Sequence, residues 1–163
     1  MIPQRDISRL ANRLYVEACE SIGKKQALRI PEAAIERDYC LAWLLCAMTQ
    51  HPVLSEALAF KGGTALRRIH FGEYRFSEDL DFTDEPVRHV RNDTFYFEFQ
   101  GPRPARNSVK VDVTRGETLV FALERKPMIC SYSEYSDLPA DRSTPRHASV
   151  NPADRNFMVK TEA

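Results

Sequence analysis

Asp79-Leu80-Asp81-Phe82 alternates carboxylate and apolar side chains residue by residue. That is the period of a β-strand, so both acids lie on one face while Leu80 and Phe82 enter a core. Val109-Lys110-Val111-Asp112-Val113 repeats the pattern, with three valines on one face and Lys110 and Asp112 on the other. Two such strands demand a sheet with one face covered and the other carrying charge. Side chains at i and i+2 stand about 6.5–7 Å apart along a strand, so Asp79 and Asp81 can converge on one or two hard cations such as Mg²⁺ or Mn²⁺, which take oxygen ligands. With the second strand beside the first, Asp112 completes a metal-ligating triad. Two ions about 3.5–4 Å apart can clamp both the attacking and the leaving oxygen of a phosphoryl transfer.

Upstream, Gly62-Gly63-Thr64 opens a short helix that the spacing extends to His70. Two glycines remove the Cβ atoms that would hold a phosphate away from backbone N–H groups, and a helix start leaves such donors unpaired. Gly62, Gly63 and Thr64 are therefore the candidate phosphate seat, with Lys61, Ser77 and Lys110 as further candidates for nucleotide binding. Ser77 precedes Asp79 by two residues on the same face, within reach of phosphate or metal-bound water. Lys110 either neutralises triphosphate charge or pairs with Asp112 and orients it. Arg67 and Arg68 either reach toward phosphate or form salt bridges. For Glu78 a salt bridge with Arg75 is expected, and His70 has no acid or serine partner at a recognisable spacing.

Lys and Arg together number 23, as do Asp and Glu, so no global basic field announces nucleic acid, and an RNA or DNA substrate needs a local patch. The four cysteines, Cys19, Cys40, Cys46 and Cys130, form no CxxC pair. Reduced core thiols in the cytoplasm are the expectation, rather than zinc ligands. The longest apolar run, Tyr39 to Met48, is too short for a bilayer.

Two helices are expected at the N-terminus. Ile7, Leu10, Ala11, Leu14, Ala18 and Ile22 form one stripe over 6–22, capped by Asp6 or Ser8 and ended by Gly23. A second helix starts at Pro31 and runs to about Thr49, apolar nearly all round from Tyr39 and hence buried on two sides, with Trp43 in the core. A DNA-binding role for residues 6–50 is disfavoured because that apolar helix leaves few side chains to read bases. Residues 53–59 bridge to a first strand at 58–61. Phe95, Phe97 and Phe99 alternate on a later strand as expected core, and 101–107 turn into the Asp112 strand. A further strand or two fill 118–132. The domain expectation is a unit at 1–138, helices to residue 50 and a sheet core from 51, then a polar, loose tail at 139–163.

A Gly-Gly turn, a helix, Asp-x-Asp on a strand and a single Asp on a later strand resemble the active-site signature of the DNA polymerase beta-like nucleotidyltransferase superfamily. Phe60-Lys61-Gly62-Gly63-Thr64-Ala65-Leu66 with Arg75-Phe76-Ser77-Glu78-Asp79-Leu80-Asp81-Phe82 resembles, more narrowly, its nucleotidyl transferase AbiEii/AbiGii toxin family, and Ile35-Glu36-Arg37-Asp38-Tyr39 fits the same pattern. The resemblance implies an α+β fold, a small mixed or antiparallel sheet of a minimal nucleotidyltransferase with N-terminal helices packed on it. It implies Mg²⁺ or Mn²⁺ on Asp79, Asp81 and Asp112, and Asp112 also as a base. It also implies an NTP substrate, a macromolecular acceptor such as tRNA, and a cognate antitoxin of a toxin–antitoxin or phage abortive-infection system. The likeness covers 31 to about 135. The helix such proteins insert after Asp-x-Asp is reduced here to a short stretch at 86–92, and their C-terminal helical half is not found. Two expectations follow: a minimal transferase completed by a partner chain, or a non-catalytic remnant that binds nucleotide or an antitoxin.

Overall fold

The computed structural model describes residues 2–71, 75–84, 91–118, 123–129, 132 and, as backbone, 156–160. Two long helices lead, α1 at Gln4–Ile22 and α2 at Glu32–Gln50, followed by the short α3 at Pro52–Ala57. Strand β1, Ala59–Lys61, runs directly into α4, Gly62–Ala65, and a π-helical stretch at Leu66–Phe71. The remaining strands are β2, Asp79–Thr83; β3, Arg91–Phe99; β4, Asn107–Arg115; β5, Leu123–Pro127; and β6, Asn156–Lys160. This is the expected α+β architecture with N-terminal helices on a mixed sheet.

The two helices end close to where their punctuation places them. Pro31 caps α2 and Gly23 follows α1, while the first helix starts earlier than expected, after Pro3, with no side-chain cap. On α1 the stripe is buried through Ile7 and Ala11; on α2, Ile35, Leu41, Ala42, Leu45 and Cys46 are wholly inaccessible. The second helix is sandwiched between α1 and β4, which is why its apolar residues occupy nearly its whole circumference.

The sheet order is β3-β4-β2-β1-β6-β5. At its centre β2 runs parallel to β4 and antiparallel to β1, and β3 lies antiparallel to β4 at one edge. Leu80, Phe82 and Val109 are buried on the helix-covered face, and the Phe60 and Phe82 rings lie 5.2 Å apart across β1 and β2. Burying side chains of this size stabilises by about 1.5–3 kcal/mol each, and that preference fixes which face the acids take.

Two expectations change. Phe95 and Phe97 share the helix-covered face with the valines but are each 49% exposed, because the helices reach only to β4 and leave the edge strand open. The two rings and Val111 instead line a groove of about 420 Å³ against Met48, Leu54 and Leu58. Asn156–Lys160, inside the segment expected to be a polar tail, form β6, parallel to β1 and antiparallel to β5. Asn156-Phe157-Met158-Val159-Lys160 lacks the polar–apolar alternation of β2 and β4, and its pairing with β1 and β5 makes it a strand. Residues 72–74, 86–90 and 139–155, on which expectations of a loop, a shortened helix and a tail fall, lie outside the described residues.

A buried ionic cluster joins the helices to the turn that carries the glycines. Asp38 of α2 is 1% exposed and its Oδ2 accepts from Arg68 Nη2 at 2.6 Å and from the Tyr132 hydroxyl at 2.8 Å. Arg67 Nε lies 3.5 Å from the other oxygen. Both arginines thus serve buried ion pairs, and Arg67 also lies over the Phe76 ring at 3.9 Å. Burial and the Asp38 charge push the Tyr132 hydroxyl far above its usual pKa, so it stays a donor. Removing one member leaves uncompensated charge in the interior. Asp38→Ala is expected to cost about 3–5 kcal/mol, read as a fall in the midpoint of urea or thermal unfolding followed by circular dichroism; an unchanged midpoint would remove the cluster from this role.

Candidate active site

Strand register assembles the acids. Asp81 lies opposite Asp112 on one side and Lys61 on the other, and Asp79 lies opposite Lys110. Opposed residues share a face, so Lys61, Asp81, Asp112 and Thr94 form one row across four strands, with Asp79, Lys110 and Tyr96 in the next. One carboxylate oxygen from each of Asp79, Asp81 and Asp112 lies within 4.8 Å of the others.

Each acid is held. Ser77 Oγ donates to Asp79 Oδ1 at 3.0 Å. Thr94 Oγ1 donates to Asp112 Oδ1 at 2.6 Å, and Lys110 Nζ sits 2.5 Å from Asp112 Oδ2. Lys110 therefore takes the orienting alternative. Burial pushes the Asp112 carboxyl upward, but the hydrogen bonds from Lys110 and Thr94 win and hold it below the usual carboxylate range. The same bond raises Lys110. Asp81 goes the other way: burial first, then repulsion from Asp79 and Asp112, raises its pKa, and Lys61 and Lys110 only partly offset this. A carboxylate strained by two like neighbours is a place where a cation is favoured, and an all-oxygen donor set suits Mg²⁺ or Mn²⁺.

The glycine turn abuts this cluster. Gly62 has φ +76°, and a Cβ there would stand 2.1 Å from Asp81 Oδ2, so any side chain would collide with the acid and strain the backbone. The glycine is required by Asp81 itself. Thr64 is buried, and its hydroxyl donates to the backbone carbonyl of Asp79 at 2.5 Å, tying the turn to β2. Lys61 is paired with Glu117 at 2.5 Å.

All nine sequence-predicted residues gather here. The structure adds Thr94 and Glu117, whose roles depend on strand register and on a loop contact between residues 56 positions apart; only the even parity of Thr94 within its strand was visible in the sequence. Glu78 pairs with Arg37 at 2.5 Å rather than with Arg75. His70 packs beside Phe71. Cys46 is buried, and among the described residues the three aspartates are the group whose spacing suits a metal.

A sheet-mounted triad of aspartates beside a glycine turn is a group that could hold a divalent ion next to an anion. The family described as nucleotidyl transferase AbiEii toxin, Type IV TA system, matches residues 43–94. That segment contains Gly62, Gly63, Thr64, Ser77, Asp79 and Asp81, and stops before Lys110 and Asp112. The chain is thus similar to a nucleotidyltransferase toxin of a toxin–antitoxin system over the first half of the site, and the fold brings in the third acid from beyond the match. No curated protein matches the chain. Among the described residues no helix is long and apolar enough to cross a membrane.

The raised Asp81 pKa carries a stability sign. A carboxyl with a higher pKa folded than unfolded favours the folded state while protonated, below its unfolded pKa, and loses that contribution as pH rises through the folded pKa. At neutral pH in chelator, Asp81→Asn is therefore expected to raise the melting temperature by a few degrees, about 2–4 °C for each kcal/mol relieved. The difference should shrink as acid protonates Asp81 in the parent; a lower melting temperature at neutral pH would contradict the repulsion.

Proposed function

We propose that this chain is a metal-dependent nucleotidyltransferase that moves a nucleoside monophosphate from an NTP to a macromolecular acceptor such as tRNA, as the toxin of a toxin–antitoxin or abortive-infection pair with a cognate antitoxin. The observation that carries the reading is the convergence of three carboxylates to within 4.8 Å beside a glycine turn in the matched segment.

Asp79, Asp81 and Asp112 would hold the metal, and Mg²⁺ or Mn²⁺ bound there would supply neutralisation of charge on the phosphoryl oxygens and ease loss of the proton from the attacking hydroxyl. Backbone N–H groups of Gly62, Gly63 and Thr64 hold the β- and γ-phosphates, and Lys61 exchanges Glu117 for phosphate. The acceptor oxygen forms a bond to the α-phosphorus, the bond from that phosphorus to the bridging oxygen breaks, and diphosphate leaves with the electron pair. Asp112, kept anionic by Lys110 and Thr94, takes the hydroxyl proton and passes it to solvent. Preorganised donors and fixed charge are the largest catalytic contribution available to such a site.

The test is transfer of label from each of the four α-labelled nucleoside triphosphates to total cellular RNA and protein, with Mg²⁺ or Mn²⁺. Label is expected with the parent chain and is expected to fall by at least about 10³-fold in the Asp79→Asn, Asp81→Asn double variant, in line with loss of a principal electrostatic stabiliser. No label from a folded parent would favour a non-catalytic chain that binds nucleotide or an antitoxin.

A further inference from the structure

On the open face of the sheet β3 presents Asn92, Thr94, Tyr96 and Glu98 in alternation. Among these polar neighbours Tyr96 is a large aromatic with 67% of its surface exposed. Parity excludes it from the valine face that takes Phe95 and Phe97, so core packing does not account for it. Its partner on β4 is Lys110, whose partner on β2 is Asp79. The ring's strand is therefore two strand spacings, about 10 Å, from that of Asp79, and Tyr96 lies one row from Asp112. The glycine turn lies on the opposite flank, at the end of β1.

An in-line displacement sets the attacking and leaving oxygens on opposite sides of the phosphorus. With the diphosphate leaving toward the turn, the acceptor hydroxyl arrives from the β3 side, across Asp112 and Thr94. We propose that Tyr96 is the platform on which a base of the acceptor stacks, so that the acceptor is a single-stranded nucleic-acid end with a free ribose hydroxyl and an unpaired base. The inference rests on the nucleotidyl-transfer reading for the direction of approach. Every base offers a π-face, so one exposed ring positions an end without selecting its sequence. A single ring also needs no global basic field, and the chain has none, with equal numbers of acids and bases.

The test titrates a short single-stranded RNA, fluorescein-labelled at its 5′ end, with the full chain, Tyr96→Leu and Tyr96→Phe in Mg²⁺, reading anisotropy. KM and kcat for the same RNA and for NTP are measured alongside. Tyr96→Leu is expected to weaken RNA binding and raise the RNA KM about tenfold, with kcat at saturating RNA and the NTP KM unchanged, while Tyr96→Phe retains the parent values. Unchanged RNA affinity in Tyr96→Leu overturns the proposal. So does equal loss in both variants, which assigns the effect to the hydroxyl, and so does a loss confined to the NTP KM, which puts the base of the triphosphate on the ring. A parent chain that binds no RNA, as expected for a protein hydroxyl acceptor, overturns it as well. Failure of the transfer reading shows separately, as no metal-dependent transfer by any of the three proteins, and the anisotropy series still decides whether the ring binds RNA.

Discussion

Three carboxylates whose oxygens lie within 4.8 Å of one another repel, and the rest of the architecture holds them together, with Lys61 and Lys110 only partly offsetting the repulsion felt by Asp81. The apolar face does most of this. A slip of one residue in the pairing of β2 with β4 would turn the apolar set of one of the two strands, Leu80 and Phe82 or the valines, outward and bring its acids inward, so burial of both sets locks the register that lines Asp81 up with Asp112. Ser77, Thr94 and Lys110 then fix individual oxygens. The repulsion left over falls on Asp81, beside the glycine whose missing Cβ makes room for it.

The helical layer contributes through one short run, Glu36-Arg37-Asp38. Glu36 is buried and accepts from Asn107 at the start of β4, while Gly101 packs against it so closely that a Cβ would lie 1.9 Å from its carboxylate. Arg37 bonds the same asparagine and pairs with Glu78 just before β2. Asp38 grips Arg67 and Arg68 beyond the glycine turn. One turn of α2 thus touches three segments around the acids: the residue before β2, the start of β4 and the helical stretch that follows the glycine turn. Buried ion pairs add little net stability over apolar packing, and here they fix where three segments meet.

Much of this was legible in the sequence because it is written in local periods. Alternation in 79–82 and 109–113 gave the strands and the face of every acid, and Pro31, Gly23 and the all-round apolar stretch of α2 gave the helices and their burial. What was not legible depends on partners far apart in the chain. Thr94 orients Asp112 only once β3 is in register with β4, and Lys61 meets Glu117 only after the strands have brought the loop round. The same alternation that placed Phe95 and Phe97 on the covered face could not say that the cover stops one strand short. Residues 156–160 lack that alternation, and pairing with β1 and β5 makes a strand of them.

Direct binding of a divalent ion tests the central claim without requiring the nucleotide or the acceptor. Mn²⁺ titrated into the chain and followed by electron paramagnetic resonance should lose its free-ion signal in proportion to protein until the site saturates. The Asp79→Asn, Asp81→Asn variant should leave the signal at its value in buffer. A parent chain that leaves the free Mn²⁺ signal unchanged, or a variant that binds as the parent does, would contradict a cation site built on these three aspartates.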